Sequence, residues 1–440
     1  MRNKAVGVQG KGVSHRRVHS LALCLLLVMF SLLQFFGRAF AEELKLQDLV
    51  KEALQNSPEI LASQSRVSAS QFKIPQAKSL PDPLFMFGYQ NEGWKKYTFS
   101  ESQMAQWMFS ASQMFPFPGK LSTKGELAMK ESESLGASYD SVKLRVISKV
   151  KELYYDLLFA YKDIDILKDR TALFSRIEDA AVARYSSGMG LQQEVLMAQT
   201  EKYMLLEKEE MQRQKIQSIE AMLNSTIGRD VNSPLGRPAE PSYDNYVRSM
   251  DELLHLVNEN SPDIKAKEKM AASAEARVKL AELDYYPDFA INASYFNRGG
   301  GQYEDMWSLT TTINIPIFYR TKQRQAVNEA RALLSEARYE LEATKLMIAS
   351  NIRDNYSMLR TAEKLMELYK NGLIPKTYQD FEAAIAGYVT GKIEAITVVN
   401  RLKALLDFET LYWQQFVERE KAIAKIEAIT GVSDAGLGDR

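Results

Sequence analysis

Hydrophobic residues recur at helical spacing along two long stretches of the chain. From Lys120 to about Tyr185 there is no proline, and apolar side chains fall every three or four residues, which is the spacing of one face of an α-helix. A second such stretch runs from about Thr321 to Ala386. Each predicts a helix of about 65 residues, which is roughly 100 Å long at the α-helical rise per residue. The apolar residues that define the first helix are Val146, Val150, Leu153, Leu157, Ile164, Leu167 and Phe174.

Two shorter helices accompany each long helix. Their combined length of roughly 90 Å nearly equals that of the long helix, so one long helix can lie beside two shorter ones stacked end to end. Helices of this length need lateral coiled-coil partners to bury their apolar faces. The predicted shorter helices are 58–79 and about 191–227 in the first half of the chain, and 262–285 and about 393–430 in the second.

Four segments alternate apolar and polar residues with the period of two that is typical of β-strands. They cover 83–90, 104–117, 288–296 and 306–317, and polar loops join them into two hairpins with aromatic residues near the strand ends. Apolar residues outside and polar residues inside are the pattern of a membrane barrel, and a soluble sheet with one buried face is the alternative. The residues predicted to face lipid are Trp107, Phe109, Phe289, Ile291, Trp307, Leu309, Ile313 and Ile315.

Four strands cannot close a barrel, and an open sheet edge in lipid leaves backbone groups without hydrogen bonds. Three chains would supply twelve strands, an even number within the range known for outer-membrane barrels. The sequence therefore predicts an α+β membrane protein with long antiparallel coiled-coil helices and four β-strands per chain. Three chains would form a 12-stranded β-barrel on an α-helical barrel.

The chain carries two copies of one pattern. Asn56-Ser57-Pro58-Glu59-Ile60 recurs as Asn260-Ser261-Pro262-Asp263-Ile264, and each run is a strong helix start, with Ser at the N-cap, Pro at the first position and an acid in the first turn. Further matches follow in the same order at nearly the same offset, as expected of a duplicated unit. The predicted divisions are a first repeat (42–228), a Pro-rich linker (229–250), a second repeat (251–431) and a flexible tail (432–440).

The first 41 residues read as a secretory signal peptide. They hold six basic and no acidic residues, an apolar run, and a small-residue site that predicts cleavage after Ala41. An uncleaved membrane anchor is the alternative, although the run is short for a membrane span. Cys24 lies inside the run after Leu23; a lipoprotein signal needs a small residue there, so no lipid anchor is expected.

The composition of the remaining chain argues against an enzyme. It carries 50 basic and 56 acidic residues, a net charge of −6, which does not favour nucleic acid as a partner. It keeps no cysteine and only His255, and it has no phosphate-binding glycine loop, so we expect no cofactor, no metal centre and no catalytic site. Thioethers on the polar strand faces would suit Cu(I), but methionine is more often a flexible filler. These residues are Met104, Met108, Met114 and Met306.

With these features, the chain resembles the TolC-like outer-membrane efflux proteins over nearly all of 42–431. The resemblance rests on the duplicated Asn-Ser-Pro starts, the paired hairpins, the long helices, and two Tyr-x-x-Gly turns that begin at Tyr185 and Tyr388. It implies a homotrimer in the outer membrane of a Gram-negative bacterium, reaching into the periplasm. Such a protein is the exit duct of a tripartite efflux system and receives substrates from a periplasmic adaptor and an inner-membrane pump. The overall similarity leans toward the heavy-metal and drug-pump branch, and hence toward a pump of the RND type. The alternatives are a type I secretion duct and a periplasmic coiled-coil adaptor or scaffold.

The resemblance also suggests a gate at the two Tyr-x-x-Gly turns. The family places an acid six residues after the glycine, where Glu194 stands in the first copy but Thr397 in the second. The family's basic residue after the second glycine is replaced by Ile393. Glu394 is therefore the candidate for a displaced acidic ring. Ordinary solvated charge, or helix packing for the tyrosines, is the alternative for the gate candidates Tyr185, Glu194, Tyr388, Lys392 and Glu394.

Overall fold

The structure, a computed structural model, describes residues 43–241, 243 and 245–432. The predicted signal peptide with its cleavage site at Ala41, and all but the first residue of the predicted tail, lie outside the described residues. None of the described helices is both long enough and apolar enough to cross a membrane.

The two halves of the chain contain the same elements in the same order. In the first half these are α1 (Leu46–Asn56), α2 (Pro58–Lys78), β1 (Leu84–Gln90), β2 (Gln106–Phe115), α3 (Lys120–Ser186) and α4 (Gln192–Ile227). In the second half they are α5 (Met250–Asn260), α6 (Pro262–Leu283), β3 (Asp288–Asn297), β4 (Met306–Asn314), α7 (Gln323–Leu368), α8 (Ile374–Val389) and α9 (Ala395–Thr430).

The predicted 65-residue helix of the second half is wrong in one respect, because it is not continuous. A π-helical turn, Tyr369–Leu373, separates α7 from α8, and there the backbone N–H of Ile374 donates to the carbonyl of Tyr369. Pro375 explains the interruption, since proline has no N–H and its ring clashes with the carbonyl four residues earlier. The corresponding helix of the first half, α3, contains no proline and runs unbroken for 67 residues.

The predicted helix starts are correct in position, but the predicted capping by the serine side chains is wrong. Pro58 and Pro262 occupy the first positions of α2 and α6, with Ser57 and Ser261 before them. Neither serine side chain makes a capping hydrogen bond, and both are buried. Each serine instead donates its backbone N–H to the last turn of the preceding helix, α1 or α5. In each half of the chain, the two helices therefore meet at a tight junction in which the serine is buried.

The strands form one antiparallel sheet in the order β1-β2-β3-β4. Residues with their side chains on the same face pair across all four strands, so that Phe87, Phe109, Tyr295 and Trp307 form one row. The register places the apolar strand residues of the sequence pattern on one face. The serines, threonines and asparagines lie on the opposite face, together with several apolar residues, among them Met108 and Phe296. Strand β4 ends at Asn314 rather than at residue 317, because Pro316 cannot donate to the ladder. Ile315, predicted to face lipid from a strand, therefore lies just beyond it.

The long helices lie side by side as four columns. Helix α3 packs between α2 and α4 on one side and α6 and α9 on the other, and α7 with α8 packs on the far side of α6 and α9. The end of α4 touches the start of α2, where Gly228 lies against Asn56 and Pro58. The end of α9 meets the start of α6 in the same way. The prediction of two short helices stacked beside one long helix is thus confirmed, and the strand order follows the order of the columns.

A strap crosses the middle of the columns. Its described residues are 43–56, 229–241, 243 and 245–260, which include α1, α5 and the Pro-rich segment after α4. Leu44 pairs in parallel with Pro238, and Tyr154 of α3 donates its hydroxyl to the carbonyl of Leu44. Helix α1 packs on α3 and α4, whereas α5 packs on α7 and α9. One end of the strap therefore packs on the first half of the chain, and the other end packs on the second half.

Candidate functional site

Two helical hairpins meet at the end of the columns farthest from the sheet, which we call the tip. The α3–α4 turn contains Gly188 and the α8–α9 turn contains Gly391, and both glycines have a positive φ. A shared apolar core beneath the turns joins residues of α3, α4, α8 and α9, including Phe174, Phe381 and Leu402. The two Tyr-x-x-Gly turns noted in the sequence are thus neighbours in space.

Tyr388 and Glu194 form the central polar contact of the tip. Tyr388 lies at the end of α8 and is fully buried, and its hydroxyl donates a hydrogen bond of 3.0 Å to Oε2 of Glu194 in the first turn of α4. Burial raises the pKa of Tyr388 to about 12, with a further contribution from the bond and charge of Glu194, while Arg184 acts in the opposite direction. The hydroxyl therefore remains protonated, and remains a donor, over the physiological pH range.

Arg184 completes this cluster, and sequence reasoning missed it. Its guanidinium lies 5.0 Å from the ring centroid of Tyr388 and donates to the carbonyl oxygens of Tyr388 at 2.9 Å and Met189 at 3.0 Å. It also approaches Gly391 so closely that a Cβ there would lie 3.2 Å from its Nη1. The resemblance to the family implies a basic residue after the second glycine, where Ile393 stands in this chain. The available signal was a basic residue directly before the first Tyr-x-x-Gly turn.

The other gate candidates lie apart from this cluster. The side chain of Tyr185 is 49% exposed. Lys392 and Glu394 are exposed, and neither forms an ion pair or a side-chain hydrogen bond with any described residue. Glu394 occupies the N-cap position of α9 without capping the helix. The structure therefore brings Glu194 and Tyr388 together, and leaves Tyr185, Lys392 and Glu394 facing solvent in the single chain.

At the opposite end of the columns, the predicted lipid-facing residues share one face of the sheet. Phe115 and Phe289 stack with ring centroids 5.4 Å apart, and most of the large side chains of this face are exposed in the single chain. The residues on this face are Trp107, Phe109, Phe289, Ile291, Trp307, Leu309 and Ile313.

The polar face of the sheet carries hydroxyl and amide groups. Ser110 and Ser294 lie opposite each other with their hydroxyls 2.8 Å apart. Among the strand residues of this face, Asp288 alone is charged. The ammonium of Lys120, which is 5% exposed, lies 2.9 Å from the carboxylate of Asp288, and the backbone N–H of Phe117 donates to the same oxygen at 2.7 Å. This buried pair marks the change from sheet to helices. The described residues contain no group of three or more His, Cys, Asp or Glu suited to a metal ion.

The chain matches the model of the family described as outer membrane efflux protein over residues 49–229 and 253–430. It belongs to this family. The protein is thus an outer-membrane efflux channel of the Gram-negative type that extends into the periplasm. It works with an adaptor and an inner-membrane pump in tripartite efflux. The family is one of channels, and the alternative of a periplasmic scaffold is not supported.

Known relatives agree over most of the chain. The cobalt-zinc-cadmium resistance protein CzcC of Cupriavidus metallidurans is 22% identical over 414 residues, which cover 91% of this chain and 93% of that protein. The pyoverdine export outer membrane protein OpmQ of Pseudomonas putida is 23% identical over 428 residues, with 90% and 88% covered. The crystal structure of the outer membrane protein VceC of Vibrio cholerae shares the fold, with a TM-score of 0.75, 16% identity and coverage of 88% and 96%.

Proposed function

We propose that three copies of this chain assemble into one duct, in which their sheets close into a 12-stranded barrel and their helices into a tunnel. The observation that carries this proposal is that the outer sides of the two outer helical columns are uncovered in the described part of the single chain. In the same part of the chain, the two edge strands of the sheet, β1 and β4, are likewise unpaired on their outer sides. Within the described residues, β1 pairs only with β2 and β4 only with β3. An edge strand in lipid has no water to satisfy its backbone groups, so each β1 needs the β4 of another copy.

The helical edges support the same assembly. Large apolar side chains are exposed on α4 at one edge and on α7 and α8 at the other, among them Tyr203 (72%), Leu346 (72%) and Tyr378 (45%). Tyr203 lies eleven residues from the first residue of α4, Gln192, and Tyr378 eleven residues from the last residue of α8, Val389. Both are therefore about 17 Å from the tip along their helices. Side chains at equal height on opposite edges are placed to meet between neighbouring copies.

A cysteine pair tests the assembly. We expect Tyr203→Cys with Tyr378→Cys to give a covalent trimer when purified protein is treated with a short bifunctional thiol reagent, because each copy then offers one thiol at each edge. Tyr203→Cys with Leu346→Cys is the matched control, since Leu346 lies about 50 Å higher on its edge by residue count. A trimer band in the control but not in the first pair would contradict the proposed pairing.

We further propose that the tip is the gate of the duct. The cluster of Arg184, Tyr388 and Glu194 ties the two hairpins of one copy together, and three-fold symmetry would bring three such ties around one axis. Separating the hairpins requires these polar contacts to break. This supports a tip that is closed at rest and that the adaptor and pump open.

For the inner-membrane partner we propose a pump of the RND type, on the overall resemblance to the heavy-metal and drug-pump branch. The names of CzcC and OpmQ point to different cargo, metal ions and pyoverdine, so they favour no single substrate for this chain. A deletion strain tests the partner class. We expect that deletion of this chain lowers the tolerance of the cells to metals or drugs. Co-expression of the chain with an RND pump and its adaptor should restore that tolerance. Loss of protein secretion with unchanged tolerance would favour a type I secretion duct.

A further inference from the structure

One row of the polar face of the sheet is not polar. The register pairs Gly88 with Met108, Met108 with Phe296, and Phe296 with Met306. These four residues, which we call the collar, form a continuous apolar row across all four strands. The collar lies at the end of the sheet near the hairpin loops, away from the helices.

The neighbouring rows differ sharply from the collar. The next row toward the helices joins Met86 to Ser110, Ser294 and Ser308, and the row after it joins Leu84 to Ser112, Asn292 and Thr310, so that both rows are polar on β2, β3 and β4. Among the strand residues of this face, the collar is therefore the row in which β2, β3 and β4 all carry apolar side chains, while Leu84, Met86, Met114 and Ala290 are apolar positions in other rows.

The collar side chains are partly open to solvent. Phe296 is half-buried between its two neighbours and Met306 is exposed. A Cβ on Gly88 would lie 3.4 Å from the terminal methyl of Met108, so the absence of a side chain at Gly88 leaves room for Met108. The row thus presents a ring face and flexible thioether chains, which adapt to irregular apolar surfaces.

We propose that the collar is a binding surface for the aromatic or hydrocarbon part of a solute as it leaves the duct. This rests on the proposed trimer, in which the polar face lines the lumen and the collar repeats three times around its outer end. Arg298 lies just beyond the collar, where its Nε donates to the side chain of Gln106. The collar residues themselves carry no charge, and they therefore offer apolar surface to a solute.

A shared metal ion is the less favoured occupant. Met108 and Met306 stand on strands β2 and β4, two strand spacings apart, which is about 10 Å. Phe296 lies on the strand between them. Met108 and Met306 of one chain are therefore not placed to ligate one ion together, and Met86 lies in the next row, opposite Ser110.

Current block in planar bilayers tests the collar. Tetraphenylphosphonium, a large apolar cation, should interrupt the current of the wild-type trimer when it is added on the outer side, whereas tetramethylammonium should not. Phe296→Ser with Met306→Ser should shorten each block about tenfold, because the variant removes most of the apolar surface that the collar offers to the cation. Ser294→Thr with Ser308→Thr, in the adjacent row, is the matched control and should leave the block unchanged.

The outcomes separate the two proposals. Absence of any trimeric channel in the wild type would contradict the assembly, whereas a conducting channel whose block is unchanged in the serine variant would overturn the collar alone. If the serine variant does not insert, Phe296→Trp provides the same test, and equal block durations in this variant and the wild type would overturn the proposal. Block by silver ions that requires Met306 but not Phe296 would also overturn it, in favour of metal binding.

Discussion

The hydroxyl of Tyr388 donates to the carboxylate of Glu194 across 3.0 Å, and this bond joins the two hairpins of the tip within one chain. Tyr388 ends α8, and Glu194 begins α4. The guanidinium of Arg184 on α3 lies over the tyrosine ring and donates to the carbonyl of Tyr388. A tip that opens by moving one hairpin away from the other must lose this contact.

Replacing Tyr388 by phenylalanine should favour the open tip. The change removes the hydroxyl but keeps the buried ring, so about 1 kcal/mol of hydrogen bonding is lost and the open fraction should rise roughly fivefold. Single-channel recordings measure this fraction. Tyr185→Phe is the control, because Tyr185 is exposed and makes no bond to Glu194; an equal effect of both changes would argue against a specific bond.

Glu394→Gln should reduce the cation preference of the channel without changing insertion. Symmetry would turn one exposed carboxylate per copy into a ring of three, and a narrow pore strengthens the field of such a ring. The reversal potential under a salt gradient measures the preference. If Glu194→Gln alters it and Glu394→Gln does not, the constriction lies on the first tip; if neither does, packing alone closes the gate.

Arginine substitutions should distinguish the two faces of the sheet. Ile313→Arg places a charge on the predicted lipid face, where it costs roughly 2–4 kcal/mol at mid-membrane depth, and should impair insertion. Thr312→Arg, one residue away on the opposite face, should be tolerated better. Folding into lipid vesicles, followed by gel migration with and without heating, measures insertion. Equal results for both variants would count against the assignment of the faces.

The junction between sheet and helices should depend on the pair Lys120–Asp288. Lys120→Met leaves the carboxylate of Asp288 without its ammonium partner in a mostly buried place, so we expect a loss of about 3–5 kcal/mol. The thermal unfolding of the purified channel measures it. Lys124→Met, one turn along the same helix and exposed, should have little effect. Adding Asp288→Asn to Lys120→Met should recover part of the loss, and no recovery would contradict coupling of the two charges.

Asp163→Asn should stabilise the protein at neutral and higher pH. Burial raises the pKa of Asp163 on α3, against the bond from Thr410 and the charges of Lys208 and Lys215. Because the folded state holds this proton more tightly than the unfolded chain, stability falls as pH rises from the ordinary aspartate pKa through the raised one. Asparagine avoids that loss and can still accept from Thr410.

The pH dependence of melting measures this effect. The variant should melt above the wild type at pH 8, and the difference should shrink toward pH 4. Asp179→Asn, exposed on the same helix, is the control. A stabilisation that is the same at both pH values would show that the charge of Asp163 is not its cause.

Local periodicity was sufficient to predict most of the fold, because the spacing of apolar residues depends on helix and strand geometry alone. The π-helical turn was missed because apolar spacing continues on both sides of Pro375. The tip depends on contacts that no local pattern reveals: Tyr388 is 194 residues from Glu194 and 204 from Arg184. The sequence identified the two Tyr-x-x-Gly turns, but not which of their side chains meet.

Gly228 contacts Asn56, and Gly431 contacts Asn260 in the same way. In each half of the chain, the end of the last helix therefore lies against the junction between the first two helices of that half. Both glycines have a positive φ, and a Cβ at Gly228 would lie 2.3 Å from the carbonyl oxygen of Asn56. In the proposed trimer the same seam would occur six times around the axis. Each half of the chain would then form one sixth of the wall. The π-helical turn, present between α7 and α8 and absent from α3, is one difference that makes such a wall three-fold rather than six-fold.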